Sequence, residues 1–453
     1  QGRLRPQEDM SYPLRPCHAR CLRPVLGVAG QARAAGGTVS STSPWLGLSP
    51  QPPDPILGLV ADFKRDSHSS KVNVAQGAYR TDEGKPLVLE SVKRAERRLT
   101  DALLSGGSDK EYLPIEGSEV FCRLSAELVL GKGSAGLSEG RVATLQTISG
   151  TGALRVASQA LHDIAGKRDV WVSDPSWGNH AHVFRTAGLR VHRHAYLSGA
   201  TGTTLDFGAM LRDLEEVPTG GVVLLHACAH NPTGIDPSPR QWEALAGLFV
   251  RRGLVALFDS AYQGYASGDL HADAASVRLF ERAGALPVVC QSYAKSLGLY
   301  GERIGAVNFV CRSREEAAAV ASNVKQRIIR PMYSSPPLHG ARLAACVLGD
   351  AELFGLWQSE LEVMSSRVRA MREGLAAELR RAGAPDASGG DWAHITDQIG
   401  MFAFTGLKEC HVDRLREQYH IYLTRDGRMS MAGLRAADIE YVARAISAVL
   451  TQE

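Results

Sequence analysis

Past residue 90 the chain alternates between short unbroken apolar runs and longer stretches whose apolar residues recur three or four positions apart. Val170-Trp171-Val172, Val222-Val223-Leu224-Leu225, Leu254-Val255-Ala256-Leu257-Phe258 and Val288-Val289-Cys290 are the clearest runs. They are too short for helices and show no polar alternation, which predicts strands buried on both faces. Residues 152–164 and 239–251, lying between runs, carry helical spacing instead. Strands and helices in alternation predict an α/β fold, a large domain built on a mostly parallel sheet flanked by helices. Ligands of such sheets sit at the carboxyl ends of the strands, so the residues just past each run are the places to look for chemistry. From about 338 to 381 the pattern stays helical, and 400–450 mixes two short strands with helices, which predicts a smaller second α/β domain. No internal repeat is visible.

Composition changes this picture at one end. Residues 10–53 hold no Asp, Glu or Lys, but they include Arg15, Arg20, Arg23 and Arg33 and a small-residue tract at 34–43. An acid-free, Arg-bearing, Ser-rich leader reads as an organellar transit peptide, although Pro13, Pro16 and Pro24 interrupt any amphipathic helix in it. The net charge of +3 is too small to imply a nucleic-acid or anionic-membrane partner. The 8 Cys include no C-x-x-C pair, and several sit inside apolar runs. That reads as buried free thiols in a reducing compartment. No apolar stretch approaches the roughly 18 residues that a membrane span needs.

Four signals fall at or beyond predicted strand ends. Ser149-Gly150-Thr151-Gly152 opens a helix from Ala153, where converging amides, hydroxyls and the helix N-terminus favour an anion. His230-Asn231-Pro232-Thr233-Gly234 follows the Val222 run; taken singly it is an ordinary β-turn. Asp259 ends the Leu254 run, and a carboxylate there is desolvated and needs a cationic or donor partner. Ser292-Tyr293-Ala294-Lys295 ends the Val288 run, with Arg303 eight residues on. Each has a bland reading alone. Together they place an anion cradle, a buried carboxylate, a lysine and an arginine at one sheet edge. Pyridoxal phosphate uses all four: it needs an amine for its aldehyde and an acid to hold its ring proton. Nothing in the set calls for a metal.

With these residues in view, the chain resembles the class I aspartate aminotransferases, in their mitochondrial form, from about Pro53 to Leu450. The likeness runs through Asp109-Lys110-Glu111-Tyr112-Leu113-Pro114-Ile115, through 146–154, through 225–234, through 291–305, and through Gly400-Met401-Phe402 and Thr405-Gly406-Leu407. It implies the pyridoxal-phosphate fold type I, with a leader at 1–49, an N-terminal arm and part of the small domain at 50–89, the large cofactor domain at 90–363 and the small domain at 364–453. By the same resemblance Lys295 is the Schiff-base lysine and proton shuttle. Asp259 pairs with the ring nitrogen and is buttressed by His180. Asn231 and Tyr262 hydrogen-bond the ring hydroxyl, and Trp177 stacks on the ring. Ser149, Gly150, Thr151, Ser292 and Arg303 hold the phosphate, with Tyr112 supplied by the neighbouring subunit. The backbone of Gly77 contacts substrate, Arg428 grips its α-carboxylate, and Arg330 reaches the distal carboxylate from the partner. A planar guanidinium suits these two carboxylates because it binds them bidentately.

The resemblance implies a homodimer of the mitochondrial matrix. Its reaction would be the ping-pong transfer of an amino group between aspartate and 2-oxoglutarate, with dicarboxylic amino acids and 2-oxoacids as substrates. Two departures stand at the substrate entrance, where the family's Leu-Gly-Val-Gly-Ala-Tyr reads Val74-Ala75-Gln76-Gly77-Ala78-Tyr79. A third is Ser335, in place of the Asn of Ser-Asn-Pro-Pro. Two alternatives follow: an aminotransferase for aromatic or kynurenine-type substrates, and a catalytically impaired paralogue serving as a binding protein. Arg330 speaks against the first. Lys295, Asp259, Arg303 and Arg428 speak against the second.

Overall fold

The computed structural model describes residues 43–198, 202–386 and 390–451; most of the expected leader lies outside them. By contact the chain divides after Pro52, and the elements that build the site all belong to the unit Pro53–Glu453.

Eleven strands occur among the described residues. In chain order they are β1 (Val72–Asn73), β2 (Val142–Ile148), β3 (Asp169–Asp174), β4 (Arg190–Ala195), β5 (Val222–His226), β6 (Val255–Ser260), β7 (Val288–Ser292), β8 (Ile304–Val310), β9 (Phe402–Phe404), β10 (Ile421–Tyr422) and β11 (Arg428–Ser430). Seven form one sheet in the order β2-β8-β7-β6-β5-β3-β4. Within it β7, β6, β5, β3 and β4 run parallel, and β8 is antiparallel to both its neighbours, β2 and β7. The expected mostly parallel sheet is therefore present, with one strand reversed.

Every residue of β5, β7 and β8 is buried. The reason is the pleat, which sends successive side chains to opposite faces. Val222 and Leu224 enter one core cluster with Leu257 and Val288, while Val223 and Leu225 enter another with Phe258 and Val289. Burying each such side chain is worth about 1.5–3 kcal/mol, so a continuous apolar run is what a sheet covered on both faces demands. At the edge, β4 exposes Arg190, His192 and Arg193; charges on an edge strand discourage pairing with another chain.

The helix Ser149–Asp163 begins three residues before Gly152, so the Ser-Gly-Thr turn is itself the first helical turn. The helix Ala351–Arg381 spans the expected boundary at 363. It docks through Trp357, fully buried, whose Nε1 donates to Ser296 O at 2.7 Å, one residue past Lys295. The C-terminal region holds three short strands, not the two expected. β10 pairs in parallel with β1, and β9 pairs antiparallel with β11.

Candidate active site

The reversal of β8 explains the first cluster. Its start lies beside the carboxyl ends of β2 and β7, with Ile304 opposite Ile148 and Gly305 opposite Ser292. Ser149, Ser292 and Arg303 therefore meet at one corner, where Ser149 Oγ and Ser292 Oγ lie 3.1 Å apart. Ser149 and Arg303 both take left-handed backbone conformations, φ 59° and 54°. Such conformations cost on the order of 1–3 kcal/mol each and persist where surrounding structure enforces them. A Cβ added at Gly150 would stand 3.0 Å from the Ser292 Cβ and would crowd this cradle. The free amides of the helix N-terminus face the same space and favour an anion.

Asp259, near the end of β6, supplies the second feature. Its Oδ2 lies 3.1 Å from Nε2 of the fully buried His180, whose Nδ1 lies 2.9 Å from Ser176 Oγ. Ser176 Oγ in turn is 3.4 Å from His226 Nε2. Burial alone would push the Asp259 carboxyl up, but the hydrogen bond and the positive field of His180 outweigh it and hold it below its ordinary value. Burial, with the positive field of His180, holds His226 down to about 3 against the pull of Asp259, so that imidazole is neutral at pH 7. Trp177 packs edge-on against His180, ring centroids 5.1 Å apart.

Lys295 stands opposite, its Nζ 5.8 Å from the centroid of the Tyr262 ring. Burial lowers its pKa; Asp259 pulls the other way, and Arg303 and Arg428 add to the lowering. The net effect favours the neutral, nucleophilic amine. Burial and the neighbouring Asp259 charge raise the Tyr262 phenol, which stays protonated.

Arg428, on β11, is only 4% exposed, and its side chain donates to two neutral oxygens, Asn231 Oδ1 at 3.3 Å and Ala75 O at 3.2 Å. Its guanidinium lies over the Phe402 ring at 4.1 Å. Phe402 also fixes Gly77, where an added Cβ would come within 2.6 Å of the ring. Thus a buried cation is held by carbonyls and a ring face, an arrangement that can take a carboxylate into a desolvated bidentate contact.

One cavity of about 250 Å³ joins these features, lined by Gly77, Ser149, Gly150, Thr151, Trp177, Asn231, Asp259, Tyr262, Ser292, Lys295, Arg303 and Arg428. The structure thus brings twelve expected residues to one cavity and sets His180 directly behind Asp259. Tyr112 and Arg330 do not line it. Tyr112 is 87% exposed, and Arg330, also exposed, donates to Ser334 Oγ at 2.6 Å. Sequence reasoning missed Ile56 and Phe402, which also line the cavity, and the Ser176–His226 pair behind Asp259. An isolated apolar or hydroxyl side chain carries no signal of its chemistry. Phe402 and His226 did stand inside runs already compared with the family.

Residues 69–446 match the model of the aminotransferases of class I and II. The chain belongs to that family. An aspartate aminotransferase of Medicago sativa is 48% identical over 425 residues, covering 94% of this chain and all of that one. The mitochondrial aspartate aminotransferase of Gallus gallus is 47% identical, covering 92% of this chain and 96% of the relative. Among solved structures, an aromatic-amino-acid aminotransferase of Burkholderia pseudomallei, covalently bound to pyridoxal phosphate, superposes with a TM-score of 0.85 at 40% identity, covering 90% of this chain and all of that one. The chain is accordingly a pyridoxal-phosphate-dependent aminotransferase, and its cavity fits that cofactor. Hydroxyls and a helix N-terminus suit a phosphate, a low-pKa carboxylate suits a protonated ring nitrogen, and a buried lysine with a lowered pKa suits an aldehyde.

Proposed function

We propose that this aminotransferase moves the amino group reversibly between L-aspartate and 2-oxoglutarate, giving oxaloacetate and L-glutamate. The observation that carries the amino-acid site is Arg428, a buried guanidinium whose side-chain hydrogen bonds go to neutral oxygens, and the aspartate aminotransferase relatives support aspartate as its substrate. A carboxylate arriving there gains a charge-assisted contact in a desolvated site. The phosphate of the cofactor would lie among Ser149, Gly150, Thr151, Ser292 and Arg303, with Tyr112 of the partner subunit completing the set. Asn231 and Tyr262 would take the ring hydroxyl, and Trp177 would cover the ring face. When bound, pyridoxal phosphate supplies an electron-withdrawing ring that accepts the electron pair left as the substrate's α-proton departs. Asp259, kept ionised by His180, holds a proton on the ring nitrogen. Lys295 Nζ takes the α-proton and later returns it, the role its lowered pKa suits. Gly77 leaves its backbone free to approach the substrate, and Arg330 of the partner subunit would meet the distal carboxylate.

The working unit in this reading is a homodimer with shared sites. In this reading residues 50–89 are an N-terminal arm and part of the small domain, 90–363 the large domain and 364–453 the small domain. The leader, acid-free from residue 10, directs the chain to the mitochondrial matrix, with residues 1–49 as its import segment.

Steady-state kinetics with 2-oxoglutarate as acceptor test the substrate. Aspartate is expected to exceed phenylalanine in kcat/KM by at least about a hundredfold, since an aromatic side chain leaves the distal arginine unpaired. Phenylalanine turned over as well as aspartate would replace this reading with the aromatic one. No turnover of either, with cofactor bound, would favour the binding protein.

A further inference from the structure

Behind the cavity wall a second buried arginine has no place in the chemistry above. Arg372, on the helix Ala351–Arg381, is 2% exposed, and its guanidinium donates to three backbone carbonyls: Ile395 O at 3.0 Å, Gly400 O at 2.8 Å and Phe402 O. Burying a full charge against carbonyl groups alone is expensive. Burial drags even this guanidinium down to about 9. A neutral side chain could tie down a loop at lower cost, so the placement of the charge asks for a reason.

The three carbonyls belong to one segment with a single destination. Ile399 N donates to Gly234 O at 2.7 Å, and Gly400, at φ 82°, packs against Ala229 so closely that a Cβ would overlap it. The segment is thereby pressed on the turn that carries Asn231. It runs into β9, which pairs with the strand bearing Arg428. Its last gripped residue, Phe402, puts its ring under the Arg428 guanidinium and against Gly77.

We propose that Arg372 is a positioning residue for the carboxylate-binding arginine: by clamping the 395–402 segment it holds the Phe402 ring against Arg428, so the guanidinium is aimed before a carboxylate arrives. The proposal rests on the reading of Arg428 as a carboxylate site. Preorganisation of this kind changes ligand affinity more than the chemical step. Arg372→Lys keeps the charge but not the three-way fork.

The test is a double-mutant cycle in the pyridoxal-phosphate-loaded protein, with succinate affinity measured by calorimetry alongside kcat, KM and melting temperature. Arg372→Lys and Phe402→Leu are each expected to weaken succinate binding and raise the KM for aspartate by about threefold to tenfold, the scale of a lost ring–cation contact, and Arg372→Lys to leave kcat nearly unchanged. The double variant is expected to bind succinate no worse than Phe402→Leu alone, because one residue acts through the other. Multiplying effects, or kcat and KM failing together with cofactor retention, would reduce Arg372 to a general support and overturn the proposal. If Arg372→Lys does not fold, Phe402→Leu decides alone, and unchanged succinate affinity sinks the idea. Arg428→Lys separates the two failures. If it leaves succinate binding intact, the carboxylate reading itself is wrong. If it weakens binding while Arg372→Lys does not, only the positioning role is lost.

Discussion

Two opposed pulls meet at Asp259: burial favours the neutral acid, and His180, 3.1 Å away, favours the carboxylate. The hydrogen bond and the positive field win, so its folded-state pKa lies below the ordinary value near about 3.9. A carboxyl lowered in this way stabilises the fold above its unfolded pKa, and that contribution is lost as pH falls through the folded value. Asp259→Asn keeps the shape and an acceptor for His180 but removes the charge. Turnover should fall by about a hundredfold or more, the usual scale for losing one electrostatic stabiliser. Denaturation midpoints of the two proteins should also converge as pH falls below about 4 and through the lowered folded-state value. A gap that stays constant with pH would mean that His180 does not hold Asp259 ionised. Asp259 could be picked out in the sequence because a lone acid ending an apolar run is conspicuous. His180 came only with the family resemblance, and the Ser176–His226 pair behind it was not found at all, since nothing local connects residues 50 positions apart.

Among the elements, β5, β6 and β7 were legible because strands buried on both faces must be apolar throughout. β2 and β4 were not. Gln146 and Thr147 of β2 are fully buried polar residues, and Gln146 is satisfied by Ser118 N at 3.0 Å and Pro337 O at 2.7 Å, partners that no local pattern announces. β4 is an edge strand whose charges erase its apolar signal. The reversed direction of β8 was equally hidden, although it is what brings Arg303 to the anion corner. Gly305 lies at that junction. A Cβ there would collide with Gln291 O and come within 2.7 Å of the Ser149 carbonyl carbon, both of them backbone. Gly305→Ala must therefore push apart β7, β8 and the helix that starts at Ser149. We expect a loss of at least about 1–3 kcal/mol of stability, the cost of overpacking a tight interior. Cofactor release should be faster as well, as followed by absorbance during dialysis. Unaltered cofactor retention would mean that the corner tolerates a shift in Ser149 and is not a tight phosphate cradle.

At the scale of the whole molecule, twelve residues expected from the sequence meet in one cavity, while Tyr112 and Arg330 stand exposed outside it. If both serve the site of a neighbouring copy, no single chain holds a complete site, and the obligate unit is a twofold homodimer with two shared sites. Two inactive variants test this. Lys295→Ala removes the amine and Arg330→Asp reverses the distal charge, so each homodimer should be nearly silent on aspartate. In a mixed dimer the site built on the Lys295→Ala chain also receives the Asp of its partner, and both lesions fall together. The other site combines an intact Lys295 with an intact Arg330. Random pairing makes half of the dimers mixed, each with one good site of two, so co-refolding should restore about a quarter of wild-type activity. That recovery requires Arg330 to act across the interface. If it acted within its own chain, each site of a mixed dimer would carry one lesion, and activity would stay at the level of the separate variants even with mixed dimers demonstrated by differential tagging.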